Sequence, residues 1–394
     1  MTVVGLITEY NPFHNGHAYH LAQAKKITGA DTAIAVMSGN FVQRGMPANF
    51  DKWRRAETAI LNGVDLVIEL PFAFAVQPGH IFAKGAVNIL ANVGVDVIVC
   101  GAEHAEWDFI ALAKIAQQAT HDNDVFHDYQ NTYASTYSAI LKAETGLVVD
   151  HPNDLLALSY AMAIVTLGLV NDIRIQPIQR RTAAYHETQL GSDAIASATA
   201  IRQALTNGET KQVQVHVPTA TKKMIAAGLQ IAAPESQLWS LLKYKVVTTP
   251  IDELERLYQL NNGLAYRLKM QVEHAMVDPT MTWTTFLKQF KSKRYTLSRI
   301  QRSLLYTLLN ITTDEMLYAE NHLYIRVLGS NQTGRRHLKQ QRDTIELPMI
   351  HHVDQKKLQT ILKLDYRAGH LYEWLTTTDK QALRQDTGRI PFML

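Results

Sequence analysis

One stretch near the amino end constrains the fold more than any other: Val3-Val4-Gly5-Leu6-Ile7-Thr8-Glu9-Tyr10-Asn11-Pro12-Phe13-His14-Asn15-Gly16-His17. Val3, Val4, Leu6 and Ile7 make a short apolar run rich in β-branched residues, which suits a strand buried on both faces of a parallel sheet. Pro12 ends it. Gly16 then opens residues 17–28, where Ala18, Leu21, Ala22, Ala24 and Thr28 keep helical spacing and Gly29 supplies a C-terminal stop. Strand, tight loop and helix start is the order this predicts.

A helix that starts at the carboxyl edge of a parallel sheet presents unpaired N–H groups and a partial positive charge, so it attracts phosphate. His14 and His17 project from one side of that first turn, and Gly16 between them lets a ligand approach the backbone. Two imidazoles there can donate hydrogen bonds to a phosphoryl group as it gathers charge during substitution at phosphorus. On their own, His14 to His17 favour an ordinary helix-capping loop. Their place between an apolar strand and a helix turns the balance toward phosphate. Zinc ranks lower, because the chain has one cysteine, Cys100, and no carboxylate at an obvious ligand spacing. No protein-held metal is expected.

The same rhythm continues, with apolar strands predicted over 32–37, 64–70, 95–100 and 173–178 and helices between them. That pattern predicts an α/β fold, a Rossmann-like doubly wound parallel sheet whose ligands sit at the carboxyl ends of the strands. Gly101 lies at such an end. Asp51 is expected to cap a helix over 52–61. Lys52, Arg54 and Arg55 crowd its first turn, and either a bound anion or a solvated outer face accounts for them. Asn153, after Pro152, reads as a helix cap. Arg180 and Arg181, just past a strand end, suit phosphate or adenine better than a core. Ser197, Thr199 and Arg202 open another helix with hydroxyls and a guanidinium, a second device for holding phosphate and otherwise an ordinary capped helix.

From about residue 206 helical periodicity dominates. The chain of 394 residues has room for two domains, so a division into 1–205 and a mainly α-helical 206–394 follows. Lys288, Lys291, Lys293, Arg294, Arg299 and Arg302 fall in one stretch without an acid between them, interleaved with Phe290 and Tyr295. Arg335 and Arg336 head a second cluster. Basic residues among aromatics suit RNA, although a solvated face is the plainer reading of a charge run. The net charge of +3 decides nothing further. No leader and no apolar run of membrane-spanning length is visible, which predicts a cytoplasmic protein without a membrane partner.

Together these residues resemble the bacterial tRNA(Met) cytidine acetate ligases, of the HxGH nucleotidyltransferase superfamily. The resemblance is carried by residues 9–17, 38–45, 63–71, 152–154 and 197–202, and it runs close to full length. It implies an ATP-dependent ligase in which acetate attacks the α-phosphate to give acetyl-adenylate and pyrophosphate. The acetyl group then passes to the wobble cytidine of elongator tRNA(Met), forming N4-acetylcytidine. The implied ATP site comprises Ile7, Thr8, Glu9, Tyr10, Asn11, Pro12, Phe13, His14, Asn15, Gly16, His17, Ala18, Tyr19 and His20, with Gly101, Asn153, Arg180 and Arg181. His14 and His17 are the implied catalytic pair, and Mg²⁺ the implied companion of the triphosphate. Family members tend to carry an aliphatic residue where Arg181 stands, so the contact implied there is one of backbone. Two rivals use the same residues: a transferase adenylating a small phosphorylated acceptor, and a non-catalytic RNA-binding protein on a nucleotide scaffold. The sequence leaves the oligomeric state open.

Overall fold

The apolar run at the amino end becomes β1 (Val3–Thr8), an interior strand of the sheet, paired in parallel with β2 (Thr32–Ser38) on one side and β4 (Val97–Ala102) on the other. β3 (Leu66–Leu70) extends the β2 side and β5 (Arg174–Gln179) the β4 side, again in parallel. The order β5-β4-β1-β2-β3 is the expected doubly wound arrangement, and its direction reverses between β1 and β4. The computed structural model describes residues 2–121, 133–180, 190, 194–228, 234–292, 294–376 and 384–394, so Arg181 and Lys293 lie outside the described residues.

Connecting the strands are α1 (Asn15–Thr28), α2 (Lys52–Leu61), α3 (Phe72–Ala75), α4 (Gly79–Asn92), α5 (Phe109–His121), α6 (Tyr133–Thr145) and α7 (Pro152–Thr166), and α8 (Ala198–Thr206) follows β5. The predicted stop is real: Gly29 is the left-handed C-cap of α1. Successive strand residues point to opposite faces, so each strand feeds two cores. Ala33, Ala35 and Met37 pack with Leu21, Ala24, Ala56 and Ile60 under α1 and α2. Ile34 and Val36 face the other way, toward α3 and α4. Each large side chain buried in this manner stabilises the fold by roughly 1.5–3 kcal/mol relative to exposure.

The later half of the chain is helical as expected, with Glu235–Thr248, Leu264–Met276, Trp283–Phe290 and Leu297–Leu308 among its helices. It is not separate from the sheet. β6 (Val327–Ser330) pairs antiparallel with β3, and β7 (Phe392–Met393) pairs with β6, giving seven strands. One apolar core runs from Ile34 and Ile68 through α4 and α7 to Leu242, Phe286, Leu304 and Leu375. Residue 205 thus marks a change of pattern within a shared core. Among the described residues no helix is long and apolar enough to cross a membrane.

The basic first turn of α2 departs from both expectations for it. Asp51 caps the helix as predicted, accepting from the N–H groups of Trp53 and Arg54. Yet Arg55 is fully buried and Lys52 only 1 % exposed. Arg55 donates to the carbonyls of Glu9 at 2.6 Å, Phe50 at 2.9 Å and Ser38 at 3.1 Å, and to that of Gly39, tying together the carboxyl ends of β1 and β2. Lys52 meets Glu69 and Asp386, each at 2.7 Å. Neither solvent nor a bound anion explains these cations; buried carbonyls and carboxylates do.

Candidate active site

His14 is the N-cap of α1 and accepts at Nδ1 from the N–H of Gly16 at 3.0 Å, while His17 accepts at Nδ1 from the N–H of His14 at 3.3 Å. This is a capping box in which both side chains are imidazoles. A ring nitrogen that accepts carries no proton, so each neutral ring bears its proton on Nε2. The rings stack with centroids 3.8 Å apart. A Cβ on residue 16 would lie 2.8 Å from Cε1 of His14, which is why a glycine stands there. Burial first, then the charges of Arg202 and Arg180, push His14 down to about 3. Burial first, then neighbouring His14, hold His17 well below the usual imidazole value, and burial takes His20 to about 4. At neutral pH the site presents uncharged N–H donors rather than imidazolium ions.

The motif loop is held from both sides. Tyr10 takes a φ of +45° as the chain leaves β1, and its ring packs at 4.7 Å from Phe13 and 4.9 Å from His17. Asn15 donates from Nδ2 to the carbonyls of Ala194 at 2.9 Å and Val215 at 3.0 Å, and Thr221 donates to that of Phe13 at 2.8 Å. Arg202 donates to the carbonyl of Asn11 and to the Thr199 hydroxyl, both at 3.1 Å. The chain following β5 therefore lies over the motif.

Between them opens a cleft of about 740 Å³, at the carboxyl edge where the strand order reverses. Of the residues implied for ATP, it is lined by Glu9, Asn11, His14, Gly16, His17, Tyr19, His20, Gly101, Asn153 and Arg180, and by Ser197, Thr199 and Arg202 of the second phosphate device. Ile7, Thr8, Tyr10, Pro12, Phe13, Asn15 and Ala18 are not among the lining residues. Arg181 lies outside the described residues.

Asn153 is not the helix cap its sequence suggested. His151 is the N-cap of α7 and makes no side-chain capping bond. Glu103 does that work instead, accepting from the N–H groups of Asn153 and Asp154 at 3.1 Å each and from Nδ2 of Asn153 at 2.5 Å. Asn153 is thereby free to accept from Arg180 at 3.0 Å, and Glu103 sits 3.8 Å from the same guanidinium. Wholly buried Asp154 returns the favour, accepting from the N–H groups of Glu103 at 2.8 Å and His104 at 3.0 Å. Sequence reading missed Glu103 and Asp154, whose partners are some fifty positions away.

The loop after β2, whose glycines and proline read as a surface turn near the same sheet edge, is a wall of the cleft. Gln43, Arg44 and Asn49 line the cleft, as do Leu297 and Gln301 from the facing helix. Gly45 makes this possible. It has a φ of +83°, and a Cβ there would stand 2.9 Å from the backbone nitrogen of Arg302. The loop can therefore lie directly on the helix Leu297–Leu308.

The basic candidates separate. Lys288, Lys291 and Arg294 are exposed. Arg299 is half-buried, with its guanidinium 4.6 Å from the Tyr295 ring and that of Arg294 at 5.5 Å. Arg302, taken as part of the same surface, is only 7 % exposed and lies beside Tyr306. This stretch adjoins the cleft through Leu297 and Gln301. Arg335 and Arg336 are exposed on the helix Gln332–Gln340, which starts where Asn331 bonds Asp65 at 2.7 Å, ahead of β3. That is the amino edge of the sheet, a strand length of roughly 17 Å from the carboxyl edge. The structure does not bring the two clusters together. Among the described residues no group of three or more His, Cys, Asp or Glu could hold a metal ion.

Comparison with known proteins shows the family and the fold. A family model described as HIGH Nucleotidyl Transferase matches residues 1–387. The tRNA(Met) cytidine acetate ligase of Leuconostoc mesenteroides is 47 % identical over 393 residues, 99 % of each chain. The chain belongs to the tRNA(Met) cytidine acetate ligase family. Another member, from Limosilactobacillus reuteri, is 43 % identical over 96 % of this chain and 97 % of its own. A crystal structure of Thermotoga maritima TmcAL in its apo form superposes with a TM-score of 0.87 at 28 % identity, covering all of both chains. A second, of the same protein bound with alpha-thio ATP, gives 0.85. The tRNA(Met) cytidine acetate ligase family thus supplies the fold expected from sequence, and the paired imidazoles of this member sit at its sheet switch point.

Proposed function

We propose that this chain activates acetate with ATP and transfers the acetyl group to the wobble cytidine of elongator tRNA(Met). The observation that carries the proposal is the pair of uncharged imidazoles capping α1, each with its proton on Nε2, in a cleft that also holds Arg180 and Arg202. An acetate oxygen attacks the α-phosphorus, the bond to pyrophosphate breaks, and acetyl-adenylate remains. Charge gathers on phosphate oxygens in that step, where two fixed Nε2–H donors and a helix amino end stabilise it without reorganising. Ser197, Thr199 and Arg202 would hold the departing phosphates, while Arg180, braced by Asn153 and Glu103, would steady the nucleotide.

Mg²⁺, when bound, neutralises phosphate charge, and this ion commonly takes one or two carboxylates beside phosphate oxygens. Glu9 fits that need: it lines the cleft and uses Oε1 to accept from the N–H of Gln43 at 3.0 Å, which leaves Oε2. In the division of labour proposed, residues 1–205 bind ATP and the later half grips the anticodon arm. The relatives' name supplies tRNA as partner, and the basic stretch beside the cleft supplies a surface for it.

Exchange of labelled pyrophosphate into ATP tests the reading. The expected result is exchange that requires acetate; exchange that requires a small phosphorylated acceptor instead would support the transferase reading, and none at all would contradict catalysis. For the RNA surface, Lys291→Ala with Arg294→Ala is expected to weaken tRNA binding and to reduce the slope of log affinity against log salt by about one to two. Acetate-dependent exchange should stay near that of the unsubstituted chain. Equal affinity across a salt series would remove these residues from the interface.

A further inference from the structure

The cleft has a second wall that the nucleotide does not account for. Glu235 opens the helix Glu235–Thr248 and lines the cleft, as do Leu297 and Gln301 on the helix packed against it. Glu235 is half-buried, and among the described residues its carboxylate makes no hydrogen bond or ion pair. The Gln301 carboxamide likewise has no partner among them. Of the other carboxylates at this edge, Glu103 is engaged with Asn153, and Glu9 accepts from the N–H of Gln43 with one oxygen and is the one assigned above to the phosphate side. Leu297, 41 % exposed, adds an apolar surface to the same cleft lining and belongs to the basic stretch.

We infer that this wall seats the cytosine base, with Glu235 accepting a hydrogen bond from the exocyclic amine and Gln301 donating to the ring acceptors. The inference rests on the proposed acetyl transfer and adds to it the residues that choose the base. Cytosine shows a donor at N4 and acceptors at N3 and O2, which a carboxylate and a carboxamide match in that order. Uracil shows an acceptor at position 4, which a carboxylate opposes. Leu297 gives the unstacked ring an apolar face to lie on.

Glu235 then takes part in the second step. The N4 lone pair forms a bond to the acetyl carbonyl carbon, the bond from that carbon to the adenylate oxygen breaks, and AMP leaves with the electron pair. The surplus N4 proton passes to the Glu235 carboxylate. An acidic residue in a first helical turn also complements the helix dipole, so the test must separate chemistry from support.

Acetate-dependent pyrophosphate exchange and single-turnover acetyl transfer to full-length tRNA(Met) are measured on the unsubstituted chain, Glu235→Gln and Glu235→Asp. The ratio of transfer to exchange is expected to fall by about 100-fold in Glu235→Gln, with partial recovery in Glu235→Asp. As an inhibitor, an anticodon stem-loop with uridine at the wobble position should be about tenfold weaker than one with cytidine, and Glu235→Gln should narrow that gap. Equal losses in exchange and transfer, or an unaltered ratio, would overturn the inference while leaving acetate activation standing. Absence of acetate-dependent exchange in the unsubstituted chain would overturn both.

Discussion

Replacing His17 with alanine is expected to lower acetate-dependent pyrophosphate exchange by roughly 10²–10³-fold, the usual consequence of deleting one preorganised donor to a developing charge. tRNA binding should stay close to that of the unsubstituted chain, because the basic stretch is on other elements. His17 also completes the capping box of α1, and losing a cap costs about 0.5–2 kcal/mol of stability. Such a loss lowers the melting temperature of a chain this size by a few degrees, not its rate by two decades. Burial and neighbouring positive groups hold His14 at about 3 and His17 well below 6.5, so exchange between pH 6 and 8 should show no imidazole titration. Full exchange in the alanine variant would take His17 out of the reaction.

Lys52→Met is expected to have the largest effect on stability, about 3–5 kcal/mol, because it leaves buried carboxylates without their cation. Lys52 is 1 % exposed and bonds both Glu69 and Asp386 at 2.7 Å, while Arg326 reaches the same Asp386 at 2.6 Å. Burial, and then the charge of Glu69, already push neighbouring Asp365 up to about 7. Two cations thus face three carboxyls, and removing one cation leaves an unbalanced charge away from water. The substitution keeps the length and most of the volume of the side chain, so packing alone would cost far less. Denaturant midpoints at matched slope measure it. A loss below about 1 kcal/mol would mean that the cluster adjusts its protons or admits water.

How much of this was written locally can be judged from particular residues. β1, the motif loop and α1 were readable because each is set by near neighbours: an apolar run, a proline, a glycine, a helical spacing. Lys52 and Arg55 were not, since a basic helix start looks alike in solvent or in a core until its partners are known. The partners of Lys52 are 17 and 334 positions away. Arg302 misled for the same reason, as did Asn153, whose capping task had passed to Glu103 across the fold. β6 has only four residues, and its place at the edge of β3 depends on pairing across some 260 positions, which periodicity does not record. The cleft was legible on the side of the motif loop and not on its far wall, where Glu235 comes from one helix and Leu297 and Gln301 from another, some sixty positions on.

The central claim is that the triphosphate lies against the amino end of α1 with the paired imidazoles beside it. A crystal of this chain grown with a non-hydrolysable ATP analogue tests that most directly. The account predicts phosphate oxygens within hydrogen-bond distance of Nε2 on both His14 and His17; a nucleotide bound elsewhere, or rings turned away from it, would contradict the account.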